Sequence, residues 1–284
     1  MLPSKKTSKS TSQSTGDNSI AINARGDVSV NTGLSISHVK EICRDMIKDD
    51  LKNFQKEAVE EAQRRGEVIV DEFTKKAETR FGKLVEQRLS EFKKPDAYLA
   101  LRQTQQNYCR YGEEETKKVS VDLLLERISS NKTNFEKLKI DRAIQVSGNL
   151  TSQQISLLGF IYLVGEVIMD QKEPDKLKNH YFPTVTSLWQ KSNIPTEEII
   201  FMETTGALAN LAGGRKWRSF DELHLRKYPS LIDEPKSTIL PKALAHYEDI
   251  SSFWDETIKF HALSPIGRQI AHIVLNHQTT LNIS

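Results

Sequence analysis

The chain has 284 residues, with 40 Lys and Arg against 38 Asp and Glu, a net charge of +2 and 37% hydrophobic residues. That length gives room for one sizeable domain or two modest ones around a buried core. The near-neutral balance removes any global electrostatic drive toward nucleic acid or an anionic membrane, and two cysteines, Cys43 and Cys109, are too few for a disulfide framework and lack metal-ligand spacing.

Residues 1–15 are Ser, Thr and Lys with almost nothing to bury, which predicts a disordered tail and, lacking an apolar run, no secretory signal. From Gly16 the pattern changes. Gly16-Asp17-Asn18-Ser19-Ile20-Ala21-Ile22 is followed ten residues later by Gly26-Asp27-Val28-Ser29-Val30-Asn31-Thr32. Ile20 and Ile22, then Val28 and Val30, alternate with small or polar residues as in a strand, and each Gly-Asp supplies a turn. Residues 16–34 therefore read as two short strands. A lone strand pair has one apolar face without a partner and is marginal in water.

Ser35 or Ser37 can cap a helix, and from there to Lys93 no proline occurs. Apolar residues recur at three and four residue steps (Val39, Ile42, Met46, Leu51, Phe54, Ala58, Ala62, Ile69, Phe73, Ala77, Phe81, Leu84), which predicts an amphipathic helix with a narrow stripe over 35–94. Between Val39 and Lys93 stand 13 basic and 13 acidic residues, the balance of a salt-bridged, wet helix. Unbroken, such a helix runs on the order of 80 Å at 1.5 Å per residue; alternatively it folds back at Gly66 as a helical hairpin. The leading expectation is that several chains pool their strand pairs and send their helices out as a bundle. Gly16, Asp17, Ile20, Ile22, Gly26, Asp27, Val28, Val30, Phe54, Phe73 and Phe81 are the candidate self-association residues, with a hairpin folded onto the rest of the chain as the alternative.

Pro95 marks a boundary, after which residues 95–284 read as an all-α globular domain. Helices are predicted over 96–111, 119–129 and 135–147, then over the very apolar stretch to Met169, which Thr151-x-x-Gln154 caps. That stretch is interrupted by Glu166 and falls short of the roughly 20 apolar residues that span a bilayer, so it reads as a core helix in a cytoplasmic protein. Further helices are predicted over 175–191 with an interruption near Pro183, 194–211, 220–227 and 241–262, with a small hairpin near 213–239. Ser264-Pro265 opens the last helix with Ser at the cap and Pro at the first helical position. The fold class expected is mainly α: a short N-terminal β repeat, a long amphipathic helix and a C-terminal helical domain.

Motifs of catalysis are few. Leu211-Ala212-Gly213-Gly214-Arg215-Lys216 lacks the spacing of a phosphate loop and reads as a helix stop. Arg215, Lys216, Trp217 and Arg218 form a basic-aromatic cluster whose composition suits nucleic acid. His272 and His277, five apart, sit on different helical faces, His180, His224, His246 and His261 are scattered, and no His-Glu-x-x-His or Gly-x-Ser-x-Gly occurs. No catalytic residue, metal site or cofactor is assigned.

Four landmarks carry a resemblance: the Gly16-Asp17-Asn18-Ser19 and Gly26-Asp27-Val28 opening, the Gly33-Leu34-Ser35 helix start with Val39-Lys40-Glu41-Ile42, the Leu150-Thr151, Gln154-Ile155 and Leu158 helix, and the Leu263–Ala271 ending. On these the chain resembles an uncharacterised bacterial protein family, and its opening module resembles one found at the front of several proteins from genome-defence neighbourhoods. The resemblance implies a bacterial cytoplasmic protein acting against phage and brings no catalytic residues. The function expected is a non-enzymatic homo-oligomeric interaction protein, a defence sensor or effector that binds itself and another protein. Two alternatives stand beside it: a nucleic-acid-binding regulator with a winged-helix-like C-terminal part, and a hydrolase or nuclease with a dispersed site.

Overall fold

A computed structural model describes residues 34–50, 56–129, 132–168, 177–192, 194–211, 216–228, 232–233, 237–238 and 240–277. The chain divides into two units, residues 1–32 and 33–284. The predicted strand repeat lies outside the described residues. The second unit is mainly α, as its sequence predicts.

In place of one long helix there are two, α1 (Ile36–Asp50) and α2 (Lys56–Phe81). α2 runs unbroken through Gly66, so the chain does not fold back there. Gly66 serves packing instead: a Cβ there lies 2.1 Å from Ile47 Cδ1, and its absence lets α1 close on α2. Lys40 Nζ bridges the pair to Asp71 at 2.7 Å. The described part of the apolar stripe is turned mostly inward on the same chain, with Ala58 and Leu84 left exposed. Val39, Ile69, Phe73 and Ala77 are buried, and Phe73 packs edge-on to Phe92 at 5.8 Å between ring centroids.

Charges that the sequence places on a wet helix serve α2 as a docking ladder. Glu72, Lys76 and Arg80, one helical turn apart, meet Lys117 at 3.1 Å, Asp122 at 3.1 Å and Glu126 at 2.7 Å on α5 (Glu114–Arg127). Half-exposed pairs contribute about 0–1 kcal/mol each, whereas burying a side chain such as Phe73 contributes about 2–3 kcal/mol. The apolar contact sets the docking, and the ladder fixes its register.

A short connection, including α3 (Val85–Leu89), leads to α4 (Pro95–Tyr111). Pro95 occupies the first turn, where its missing N–H costs nothing. It starts a helix within the compact 33–284 unit and does not separate two domains. Gly112, at φ 68°, ends α4 in the left-handed conformation and returns its N–H to the Tyr108 carbonyl. α6 (Asn134–Ser147) and α7 (Ser152–Gly165) both open with capping boxes, Thr133 with Glu136 and Thr151 with Gln154.

α7 is buried on nearly every side and forms the centre of the body. Its helix stops at Gly165, before the Met169 expected from hydropathy. A π-turn over Leu177–Tyr181 leads into α8 (Phe182–Lys191), with Pro183 in its first turn where the sequence predicts an interruption. α9 (Thr196–Thr204) ends earlier than predicted because Gly206, at φ 82°, turns the chain into β1 (Leu208–Asn210).

α10 (Phe220–Lys227) precedes a hairpin of β2 (Ile232–Asp233) and β3 (Ser237–Thr238), inside the region where the sequence predicts one. The helix predicted over 241–262 is divided into α11 (Leu240–Ala243), α12 (Tyr247–Glu256) and a 3-10 turn, and it finishes as β4 (His261–Leu263). β4 pairs antiparallel with β1, Leu208 opposite Leu263 and Asn210 opposite His261. The last helix, α13 (Pro265–His277), is capped by Ser264, whose Oγ accepts from Gly267 N at 2.9 Å and donates to Gly206 O at 2.6 Å. α13 lies against α7, with Val274 seated over Gly159.

Candidate functional site

Of the candidate self-association residues, Gly16, Asp17, Ile20, Ile22, Gly26, Asp27, Val28, Val30 and Phe54 lie outside the described residues. Phe73 is only 2% exposed, and Phe81 packs, half-buried, against the same core. Phe73 and Phe81 therefore pack into the chain's own interior.

The basic-aromatic cluster is divided by its surroundings; Arg215 lies outside the described residues. Lys216 and Arg218 are exposed, but Trp217 is anchored: its indole N–H donates to His261 O at 2.7 Å and its backbone N–H to Lys259 O at 2.8 Å. Its ring packs toward Trp254 at 6.5 Å between centroids, and the Trp254 indole N–H in turn donates to Arg218 O at 3.1 Å. Trp217 thus ties the segment to the 3-10 turn and β4, and its half-buried ring is no open stacking platform of the kind single-stranded nucleic acid uses. The final helix, considered as part of a winged-helix-like reader, carries buried Ile270, Ala271, Ile273 and Leu275 and belongs to the core.

Motif reasoning passes over the most buried histidine. His224 is fully enclosed; its Nδ1 donates to Phe220 O at 2.8 Å and its Nε2 accepts from the Tyr181 hydroxyl at 2.9 Å. Both ring nitrogens are satisfied in the neutral state, and Tyr181, Phe220 and Tyr228 surround the ring. Burial lowers its pKa to about 4. Next to it, Lys227 donates to Val164 O at 2.7 Å and Val167 O at 2.9 Å, and burial lowers its pKa to about 8. A depressed lysine can act as a nucleophile, yet this ammonium is turned onto the end of α7 and closes that helix. His261 pairs with Glu203 at 2.8 Å and His277 with Asp122. Among the described residues no cluster of His, Cys, Asp or Glu is placed to hold a metal. Cys43 is buried, which pushes its thiol up to about 12 and makes it inert.

His224 gives the fold an acid-sensitive contact. An unfolded histidine takes its proton near pH ~6.5, whereas in the folded chain it stays neutral down to about 4. The unfolded state therefore binds more protons between those values, and stability falls as pH drops through that window, by up to about 3 kcal/mol. Denaturant titrations at several pH values should show this slope in the wild type and lose it in His224→Gln. Equal slopes in the two would contradict the assignment.

One open cleft stands apart from these satisfied groups. It holds about 290 Å³ and is walled by Tyr162 of α7 and by Pro265, Arg268, Gln269 and His272 along two turns of α13. Lys139 of α6 and, from the end of α5 and the loop after it, Glu126 and Lys132 complete it. Arg268 is held by Glu166 through two hydrogen bonds of 2.5 and 2.8 Å. Glu126 accepts from Lys132 at 2.8 Å and from Arg80 at 2.7 Å.

No helix among the described residues is long and apolar enough to cross a membrane. No curated protein and no solved structure matches the chain. A family model matches residues 33–244, most of the helical body, and the chain belongs to that uncharacterised family.

Proposed function

We propose that the chain is a non-enzymatic interaction protein that joins copies of itself through residues 16–32 and uses its helical body to bind a partner. The observation that carries this is a coincidence of boundaries. The chain divides between residues 32 and 33, the family match begins at residue 33, and the Gly-Asp repeat lies wholly before that point. The repeat is therefore a separate piece set ahead of the family's body. Its alternating Ile and Val have one apolar face to cover, and a second strand pair of the same kind is the simplest cover. Because Val39, Ile69, Phe73 and Ala77 of α1 and α2 are buried at home, this reading places self-association in the repeat and not in a helical bundle.

The double variant Ile20→Asp with Val28→Asp places charge on that face. Sedimentation is expected to show the mass of the assembly falling to one chain, 32.3 kDa, with the melting temperature of the body unchanged. A double variant that keeps the wild-type mass would refute the proposal. A role in bacterial defence against phage, implied by the resemblance of the opening module, belongs to the same proposal. Plaque counts on cells carrying the wild type should fall, and those on cells carrying the double variant should not.

A further inference from the structure

The antiparallel pair of β1 and β4 carries an apolar row on its outer face, where such a pair ordinarily turns polar residues to water. Leu208 and Leu263, opposite each other, are buried, and on their face His261 pairs with Glu203 at 2.8 Å. Alternation puts Ala209 and Ala262 on the other face. Leu211 and Phe260 extend that row, joined by the Leu211 N–H donating to Phe260 O at 2.8 Å. Ala209 is exposed, Ala262 and Leu211 are half-buried, and Phe260 is 41% exposed. Two apolar cross-strand pairs thus stand side by side with no polar residue between them.

One border of this row is cationic. Trp217 lies along β4, its backbone N–H on Lys259 O and its indole N–H on His261 O. On either side of it Lys216 and Arg218 are exposed, and Lys259 holds its ammonium 5.5 Å from the centre of the Phe260 ring. Among the described residues none of these three cations makes an ion pair. The carboxylates of the preceding helix are engaged elsewhere: Asp255 accepts from Phe220 N–H at 3.1 Å and Glu256 from Ser252 at 3.0 Å.

The strand register therefore orders the surface as an apolar row with cations along one side. Its complement is an apolar stripe edged by carboxylates. A helix presents both on adjoining strips of one side, whereas a strand sends alternate residues to opposite faces. A second copy would bring three further cations to the same row, and nucleic acid would leave the four apolar side chains without a partner. We propose that this face docks an acidic amphipathic helix of a partner protein. Its stripe would cover Ala209, Leu211, Phe260 and Ala262, and its carboxylates would meet Lys216, Arg218 and Lys259. The proposal rests on the reading that the body binds a partner, and it names the surface and the chemistry.

Fluorescence anisotropy of the intact chain at low salt tests this with a labelled peptide of about four helical turns, leucine along one stripe and glutamate elsewhere. A Kd below about 1 mM is expected. Exchanging the glutamates for lysine, or the leucines for serine, should weaken binding at least about tenfold. Phe260→Ser and the double variant Lys216→Glu with Arg218→Glu should each weaken the glutamate peptide by about tenfold. The charge variant alters only exposed side chains, so its thermal melt should match that of the wild type. No binding of the glutamate peptide, equal binding of the lysine peptide, or undiminished binding in both variants would overturn the proposal. Tighter binding of a single-stranded DNA hexamer, lost in the charge variant, would assign the surface to nucleic acid. A lower mass of the Phe260→Ser chain in sedimentation would assign it to a second copy, and either result also overturns the proposal. Docking is read by anisotropy and self-association by sedimentation, so failure of this surface is distinct from failure of the strand repeat to assemble.

Discussion

Replacing Arg127 by methionine is expected to destabilise the body by about 3 kcal/mol, the lower end of the range for breaking a buried ion pair. Arg127 is 1% exposed at the end of α5, yet it reaches two other helices. Its Nε donates to Asp141 on α6 at 2.7 Å, and an Nη donates to Asp96 in the first turn of α4 at 2.5 Å. Burial lowers the arginine's pKa, but the two carboxylates outweigh that and hold the charge in place. Methionine keeps much of the side-chain volume and removes the charge, so Asp141, only 23% exposed, is left without its partner. Asp96 is half in water and loses little, which places the expected cost at the low end. Urea unfolding of the two proteins measures it, and a loss under about 1 kcal/mol would show that the three-helix junction does not rest on Arg127.

Adding a single methyl at Gly267 should be about as damaging. A Cβ there lies 2.0 Å from the Ala207 carbonyl oxygen and 3.0 Å from its carbon. That oxygen is backbone and already accepts from Ser264 N at 3.2 Å, so it cannot swing aside as a side chain does. Gly267→Ala must push α13 off β1 or break the turn that starts it. Overpacking of this kind costs about 1–3 kcal/mol and at times more, and the upper end is expected because two backbones collide. Gly66→Ala is the control. Its obstacle is the tip of Ile47, which can rotate, and alanine gains up to about 1 kcal/mol of helix propensity. If Gly267→Ala costs no more than Gly66→Ala in thermal melts, α13 does not approach β1 this closely.

What the sequence reveals and what it hides divide along a physical line. Helices with their own end signals are legible: Thr151 with Gln154, Ser264 with Pro265, and Pro95 are all caps or first-turn residues where expected. Features that depend on a distant partner are not. The α1–α2 stripe looks the same whether it faces another chain or α4 and α5 of its own. Gly66 attracts attention as a weak helix position, whereas its use is close packing against Ile47. The β1–β4 pair joins Leu208 to Leu263, so helical propensity over 194–211 and 241–262 hides both strands.

The site residues divide in the same way. Trp217 beside two cations suggests base stacking, and only the fold shows its indole bonded to His261. Lys139, Tyr162 and Gln269 sit in three separate helices and share no motif. The Arg268–Glu166 pair that shapes the cleft spans 102 positions. A local signal is nevertheless present. Tyr162 and Glu166 are four apart at the end of an otherwise apolar helix, and Arg268, Gln269 and His272 give the last helix a polar side.

The central proposal is that residues 16–32 alone join copies of the chain. Light scattering on the intact protein beside a chain beginning at Gly33 tests it most directly. The cut belongs at Gly33 and not at Pro95, because α1 and α2 contribute Val39, Ile69 and Phe73 to the core. At micromolar concentration the intact protein should have a mass that is a multiple of 32.3 kDa, and the shorter chain should be a folded single copy. An intact protein with the mass of one chain, or a shorter chain that assembles as the intact one does, would contradict it.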